Sequence, residues 1–209
     1  VTGVQTCALP ICLGKQSKIL TDKQIKTMLF HLSTTRMGLR NQLIFLLSAK
    51  SGLRAKEVSQ LKWSMVVNSE GTVSNAIHLT NDASKGNSGR VIPLNKDVKG
   101  LLVRLFEDES KQSDYDVNTS FVIRTERSKS TSAQSIVNMF ANWYKDLGFV
   151  GCSSHSGRRT FITNLSKKIG MVGGTLRDVQ SLAGHSNLQT TQRYIEVDTD
   201  CQRKLMNLI

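Results

Sequence analysis

Between Leu39 and Ala49 the chain reads Leu-Arg-Asn-Gln-Leu-Ile-Phe-Leu-Leu-Ser-Ala, and at helical spacing Leu43, Phe45, Leu46, Leu47 and Ala49 place apolar groups nearly all round. Such a helix is stable only when neighbours cover it on every side. It must therefore be the centre of a core, with other elements arranged around it. Ser51-Gly52 supplies its stop. A chain of 209 residues has enough length for one full-size domain around such a helix. Two prolines and few turn clusters make most of that covering helical.

The other helices carry their own start signals. Thr21 followed by Gln24 forms a capping box ahead of Ile25, Met28, Leu29 and Leu32, and Asp22 puts a negative charge in the first turn. A short helix is expected within Leu53–Trp63, with Leu53, Val58 and Leu61 inward. Asn95 or Asp97 is placed to cap a helix through Val98, Leu101, Leu102, Leu105 and Phe106. The polar run Glu107 to Asn118 reads as a loop, and Phe121-Val122-Ile123 as a brief extended piece. Ser132 precedes an amphipathic helix with Ile136, Met139, Phe140, Trp143 and Leu147 on one side. Further helices are expected from His155, from about Thr175 after a glycine break at 170–174, and from Asn187 or Thr190. The period changes between residues 65 and 94, where Met65-Val66-Val67, Ala76–Leu79 and Arg90–Leu94 read as three short strands. The fold class is thus mainly α with a small three-stranded antiparallel β-sheet (α+β).

Lys and Arg number 28 against 16 Asp and Glu, a formal charge of +12, which suits a polyanion and favours nucleic acid over membrane. No apolar run reaches bilayer length. The four cysteines, Cys7, Cys12, Cys152 and Cys201, include no Cys-x-x-Cys pair and no zinc-finger spacing, so neither a disulfide framework nor a metal or other cofactor is indicated. An acidic cluster of the kind two-metal nucleases use is also not evident.

Chemistry-bearing residues concentrate near the C-terminus. His155-Ser156-Gly157-Arg158 is followed by Gly184-His185, and Tyr194 comes nine residues after that histidine. Upstream, Arg54 sits in Ser51-Gly52-Leu53-Arg54-x-x-Glu57, at a helix start where a cation opposes the dipole. Lys85 stands in a glycine-rich turn within Lys85-x-x-x-x-Arg90-x-x-Pro93-Leu94. These segments resemble the active-site signatures of the tyrosine recombinases, the phage integrase family, across roughly residues 20 to 209. The resemblance implies a metal-independent DNA strand transferase acting through a covalent 3'-phosphotyrosine, with Arg54, Lys85, His155, Arg158, His185 and the nucleophile Tyr194 as catalytic residues and Glu57 in support.

Residue chemistry agrees. A tyrosine that attacks a DNA phosphate leaves a phosphotyrosine and a free hydroxyl, so the broken bond's energy is retained for rejoining. Arg54 and Arg158 offer planar forks of donors suited to phosphate oxygens. The resemblance makes Lys85 the acid for the leaving 5' oxygen. His155, with an unperturbed pKa of about 6.5, is able to share the tyrosine proton. His185 would hydrogen-bond the scissile phosphate, and Glu57 would orient a basic side chain. Gly157 replaces the leucine that many members carry, a departure expected to loosen packing beneath Arg158. Arg159 is expected to face a DNA backbone or an acidic neighbour.

Taken singly, each residue has a plainer reading: Tyr194 as a half-buried helix residue, Arg54 as a surface charge, Lys85 as a solvated turn, His155 as a cap, His185 as a loop histidine. Their shared order, each within its expected element, is what those readings do not produce. The rivals are a type IB topoisomerase-like enzyme, which reseals without exchanging partners, and a catalytically inactive DNA-binding module. The implied partners are double-stranded DNA, sister copies in a homotetramer joined through a C-terminal helix near Leu205–Ile209, and accessory DNA-bending or directionality proteins, in a cytoplasmic setting encoded by a prokaryote or phage. Residues 1–12 resemble a translated sequencing adapter and are set aside as a non-native or disordered leader. Residues 13–209 are then the catalytic domain, with an N-terminal core-binding domain expected upstream.

Overall fold

The computed structural model describes residues 16–84, 88–125, 128–194 and 206–207. At its centre is α2 (Gly38–Ser51), in which Leu43, Ile44, Phe45 and Leu47 are fully buried. Three helices cover it: α1 (Asp22–Ser33), α4 (Lys96–Glu109) and α6 (Ser156–Lys168). The sequence-read caps are in place. Thr21 Oγ1 accepts from the Gln24 amide at 3.2 Å while Gln24 Oε1 accepts from the Thr21 amide at 2.9 Å. Asn95 rather than Asp97 caps α4, accepting from the Asp97 amide at 2.9 Å. Ser132 Oγ accepts from the Ser135 amide at 3.0 Å at the start of α5 (Ala133–Asp146). From α5, Phe140 reaches Phe45 of α2 with ring centroids 6.4 Å apart. The short α3 (Ala55–Ser59) packs on α5.

The sheet has two strands among the described residues, not three. β1 (Ala76–Leu79) pairs antiparallel with β2 (Arg90–Pro93), Ala76 opposite Pro93 and Leu79 opposite Arg90. The expected first strand is instead a 3-10 turn over Trp63–Met65, with the Val66 amide donating to the Trp63 carbonyl at 3.0 Å and only Val67 bridging to Val73. Trp63, Met65 and Val66 are all buried. A strand turns neighbouring side chains to opposite faces, so Met65 and Val66 reach the same core only through a tight turn. The polar run from Glu107 likewise begins inside a helix, since α4 continues to Glu109, whose carboxylate pairs with Arg124 at 2.6 Å. The glycine break at 170–174 is a 3-10 turn over Ile169–Val172.

The C-terminal elements form a smaller layer. α7 (Leu176–Ala183) and α8 (Leu188–Gln192) pack together, and Ile162, Val179 and Ala183 form a second apolar cluster with Leu165, Leu176 and Tyr194 at its edge. Packing beneath Arg158 is tight rather than loose. A Cβ at Gly157 would stand 2.6 Å from Ser48 Oγ and 3.2 Å from the Ala49 amide nitrogen, so the absence of a side chain is what lets α6 lie directly on α2. None of the described helices is long and apolar enough to cross a membrane.

Candidate active site

The site begins where α2 ends. Gly52 caps α2 with φ +67°, and a Cβ there would lie 2.4 Å from the Phe161 ring, so both conformation and space call for glycine. The turn delivers Arg54 to the N-cap of α3 and Glu57 to its third position. Glu57 is fully buried. Its Oε2 accepts from the Arg54 amide at 2.9 Å and its Oε1 from Arg54 Nη1 at 2.8 Å, so the cation expected to oppose the helix dipole is neutralised locally. Arg90 at the start of β2 adds Nη1 to Oε1 at 3.1 Å and Nη2 to Oε2 at 3.2 Å. Burial pushes the Glu57 carboxyl up. The Arg90 and Arg54 contacts outweigh it and hold the group below its usual range.

Arg158, in the first turn of α6, is 3% exposed. It donates through Nη1 to the Gly52 carbonyl and through Nη2 to the Ala183 carbonyl at 2.6 Å, which joins the C-terminal ends of α2 and α7. Burial, and then repulsion from Arg54, lower its pKa to about 10. It is therefore still a cation at neutral pH. His155 is the N-cap of the same helix and is exposed.

Gly184 ends α7 with φ +62° and turns the chain so that His185 faces inward. There His185 is 8% exposed, with Nδ1 2.9 Å from Thr191 Oγ1 and its carbonyl accepting from Gln180 Nε2 at 2.9 Å. Burial and three neighbouring guanidiniums, Arg158, Arg54 and Arg90, push its pKa down to about 4. Asn187 rather than Thr190 caps α8, its Oδ1 accepting from the Gln189 amide at 2.8 Å. Tyr194 follows in the turn after α8, half-buried, with its ring stacked on His185 at 5.6 Å and 22°. Its carbonyl accepts from Thr163 Oγ1 at 3.2 Å, which fastens the turn to α6.

Two depressions meet here. One of about 280 Å³ is lined by His155, Arg158, Arg159, Arg193 and Tyr194 together with Gln16 and Ser17. The other, an open groove of about 920 Å³, is lined by Arg54, Arg90, Arg177 and His185. Thr190 belongs to both. Arg54, Glu57, His155, Arg158, His185 and Tyr194 are thus gathered around one region. Lys85 lies outside the described residues, as does most of the C-terminal segment to which subunit contacts were assigned.

Two side chains carry more than their sequence context suggested. Arg90 served only as a spacing marker after Lys85, yet it is half of the buried pair with Glu57. Arg159, expected to face a DNA backbone or an acidic neighbour, ties α6 to the N-terminal segment, its Nη1 donating to the Ser17 carbonyl at 2.9 Å. No local sequence signal distinguishes either from a surface arginine.

The arrangement has relatives. Tyrosine recombinase XerC of Bacillus pumilus is 31% identical over 206 residues, covering 94% of this chain and 64% of that protein. Tyrosine recombinase XerA of Thermococcus kodakarensis is 30% identical over 187 residues, covering 90% of this chain and 61% of the relative. The chain therefore spans a little over three fifths of these relatives' lengths. A Tn1549 transposon integrase solved with a circular intermediate DNA has the same fold, with TM-score 0.73 at 19% identity over 93% of this chain and 66% of that one. The phage integrase family model matches residues 18–200, which contain every described candidate above, and the chain belongs to that family.

Proposed function

We propose that this chain is the catalytic domain of a site-specific DNA recombinase that integrates or excises a phage or other mobile element. The observation that carries the reading is the gathering of Tyr194, His155 and Arg158 around one cavity, with His185 stacked on the tyrosine ring. Tyr194 Oη attacks the scissile phosphorus, the bond to the 5' oxygen breaks, and a 3'-phosphotyrosine and a 5'-hydroxyl result. Rejoining is the reverse attack by a 5'-hydroxyl. Arg158, anchored through two donors on carbonyls, turns its remaining N–H groups to the phosphate, and Arg54 grips it from the groove side. With Thr191 donating to Nδ1, neutral His185 offers Nε2–H to a phosphate oxygen. His155 takes the tyrosine proton, Lys85 protonates the leaving oxygen, and Glu57 holds Arg54 in place. This scheme assigns no step to a metal ion.

The relatives are named recombinases, which supports DNA as substrate and strand transfer as the reaction. An upstream core-binding domain, assembly of four copies through the segment near Leu205–Ile209, accessory DNA-bending or directionality proteins, and a cytoplasmic location complete the proposal.

The test is adduct trapping in EDTA. Wild-type protein incubated with nicked duplex DNA is expected to leave an SDS-resistant protein–DNA adduct, while Tyr194→Phe binds DNA and leaves none. An adduct that persists in Tyr194→Phe, or that needs a divalent metal, overturns the assignment.

A further inference from the structure

Glu57 divides itself unequally between two arginines. Arg54 meets its carboxylate with a single guanidinium nitrogen, Nη1 to Oε1 at 2.8 Å. Arg90 meets it with a fork, Nη1 to Oε1 at 3.1 Å and Nη2 to Oε2 at 3.2 Å. Exposure follows the same division, since the Arg90 side chain is 6% exposed and the Arg54 side chain 24%, at the groove. A buried carboxylate needs a counter-charge and filled lone pairs. Here the hidden arginine supplies one of the two guanidinium charges and two of the four hydrogen bonds, the Arg54 amide and Nη1 supplying the other two. Without it, the only other cation bonded to Glu57 among the described residues is Arg54, and the natural response is a second bond from the Arg54 guanidinium that closes its own fork on Glu57 and withdraws it from the groove.

Arg90 also holds the end of α7. Its Nε donates to the Leu182 carbonyl at 2.9 Å, one of the helix-terminal carbonyls that lack an intrahelical partner. The guanidinium lies against the next turn: a Cβ at Gly184 would stand 2.7 Å from Nη1 and 3.0 Å from Cζ. One side chain therefore touches both the carboxylate beside Arg54 and the turn from which His185 emerges. These contacts come from β2, which contributes no other residue to the site.

We propose that Arg90 is a positioning residue: by saturating Glu57 and pinning the C-terminal end of α7, it keeps Arg54 open toward a phosphate and His185 at a fixed distance from it. Arg90 itself does not touch the DNA. The inference rests on the recombinase reading above, so its experiment is built to separate the two.

The measurement is the single-turnover cleavage rate on nicked duplex, with DNA affinity and its salt dependence measured alongside, for wild type, Arg90→Met, Arg90→Lys, Glu57→Gln and the double variant Glu57→Gln/Arg90→Met. Arg90→Met is expected to slow cleavage roughly hundredfold, the scale of an ångström-level misplacement of reacting groups, with DNA affinity and salt slope unchanged. Arg90→Lys, which restores the charge without the fork, is expected to recover part of the rate. In the Glu57→Gln background the arginine substitution is expected to cost far less, because the charge that captures Arg54 is gone; such non-additivity marks action through a shared partner. Additive losses, a shallower salt slope for Arg90→Met, or an unchanged rate would each overturn the proposal. If Arg90→Met shows no thermal unfolding transition, Arg90→Lys carries the same comparison. A wild-type protein that forms no adduct removes the recombinase reading and this inference with it; a wild type that cleaves, with Arg90→Met equal to it, removes the inference alone.

Discussion

His185 shows at the residue scale how far burial moves a group from its sequence identity. A glycine-histidine pair reads as a loop histidine of ordinary basicity, yet its pKa is lowered to about 4 by burial and by the surrounding guanidiniums. The unfolded chain binds a proton on this group below about pH 6.5, whereas the folded chain refuses it until about pH 4. Acidification through that window therefore favours unfolding. Denaturation midpoints measured from pH 7 to pH 4 are expected to fall more steeply for wild type than for His185→Gln, and parallel curves would place the histidine's proton elsewhere. Glu57, whose carboxyl is held below its usual range, adds its own loss only at lower pH, as it is protonated. That Arg54, Arg158, His185 and Tyr194 belong together was an expectation from their order and spacing through the family resemblance, and the structure places them near one another. Arg90 was not legible in that way, because its importance comes from a carboxylate 33 positions away that only folding brings near.

At the scale of elements, local rules were read correctly wherever a side chain acts within its own turn. Thr21, Ser132 and Gly52 are such cases, since capping geometry depends on residues three or four positions away. They fail where tertiary burial decides. Met65-Val66-Val67 has strand composition, but the requirement that Met65 and Val66 both face the core produces a 3-10 turn. Gly157 is the sharper case, because its role is to leave room. Gly157→Leu is expected to destabilise the protein by about 1–3 kcal/mol through overpacking, although leucine is the better helix former. Urea unfolding checks this: a gain in stability would mean that α6 is free to move off α2. Of the C-terminal segment near Leu205–Ile209, only Met206 and Asn207 lie among the described residues, so its expected docking stays with the proposal above.

For the whole molecule, the +12 charge predicts binding dominated by phosphate contacts. The logarithm of the DNA association constant is expected to fall linearly with the logarithm of salt concentration, with a slope of roughly −0.9 per phosphate neutralised; titrations from low to moderate salt that give a flat line would refute a basic-surface mode. The class of fold was readable because one helix, α2, had to be enclosed. How the site would be assembled was not, since its parts arrive from α3, β2, α6, α7 and the turn after α8. Arg158 makes those arrivals interdependent: it is fastened at once to the carbonyl that ends α2 and to the one that ends α7. If α7 peels away, the guanidinium loses one of its two moorings, and His185 leaves with the helix while the tyrosine turn keeps its bond to α6 through Thr163. A partly opened copy therefore loses this arrangement before it is unfolded, and under the proposed function only molecules whose last layer has closed would be competent to break a strand.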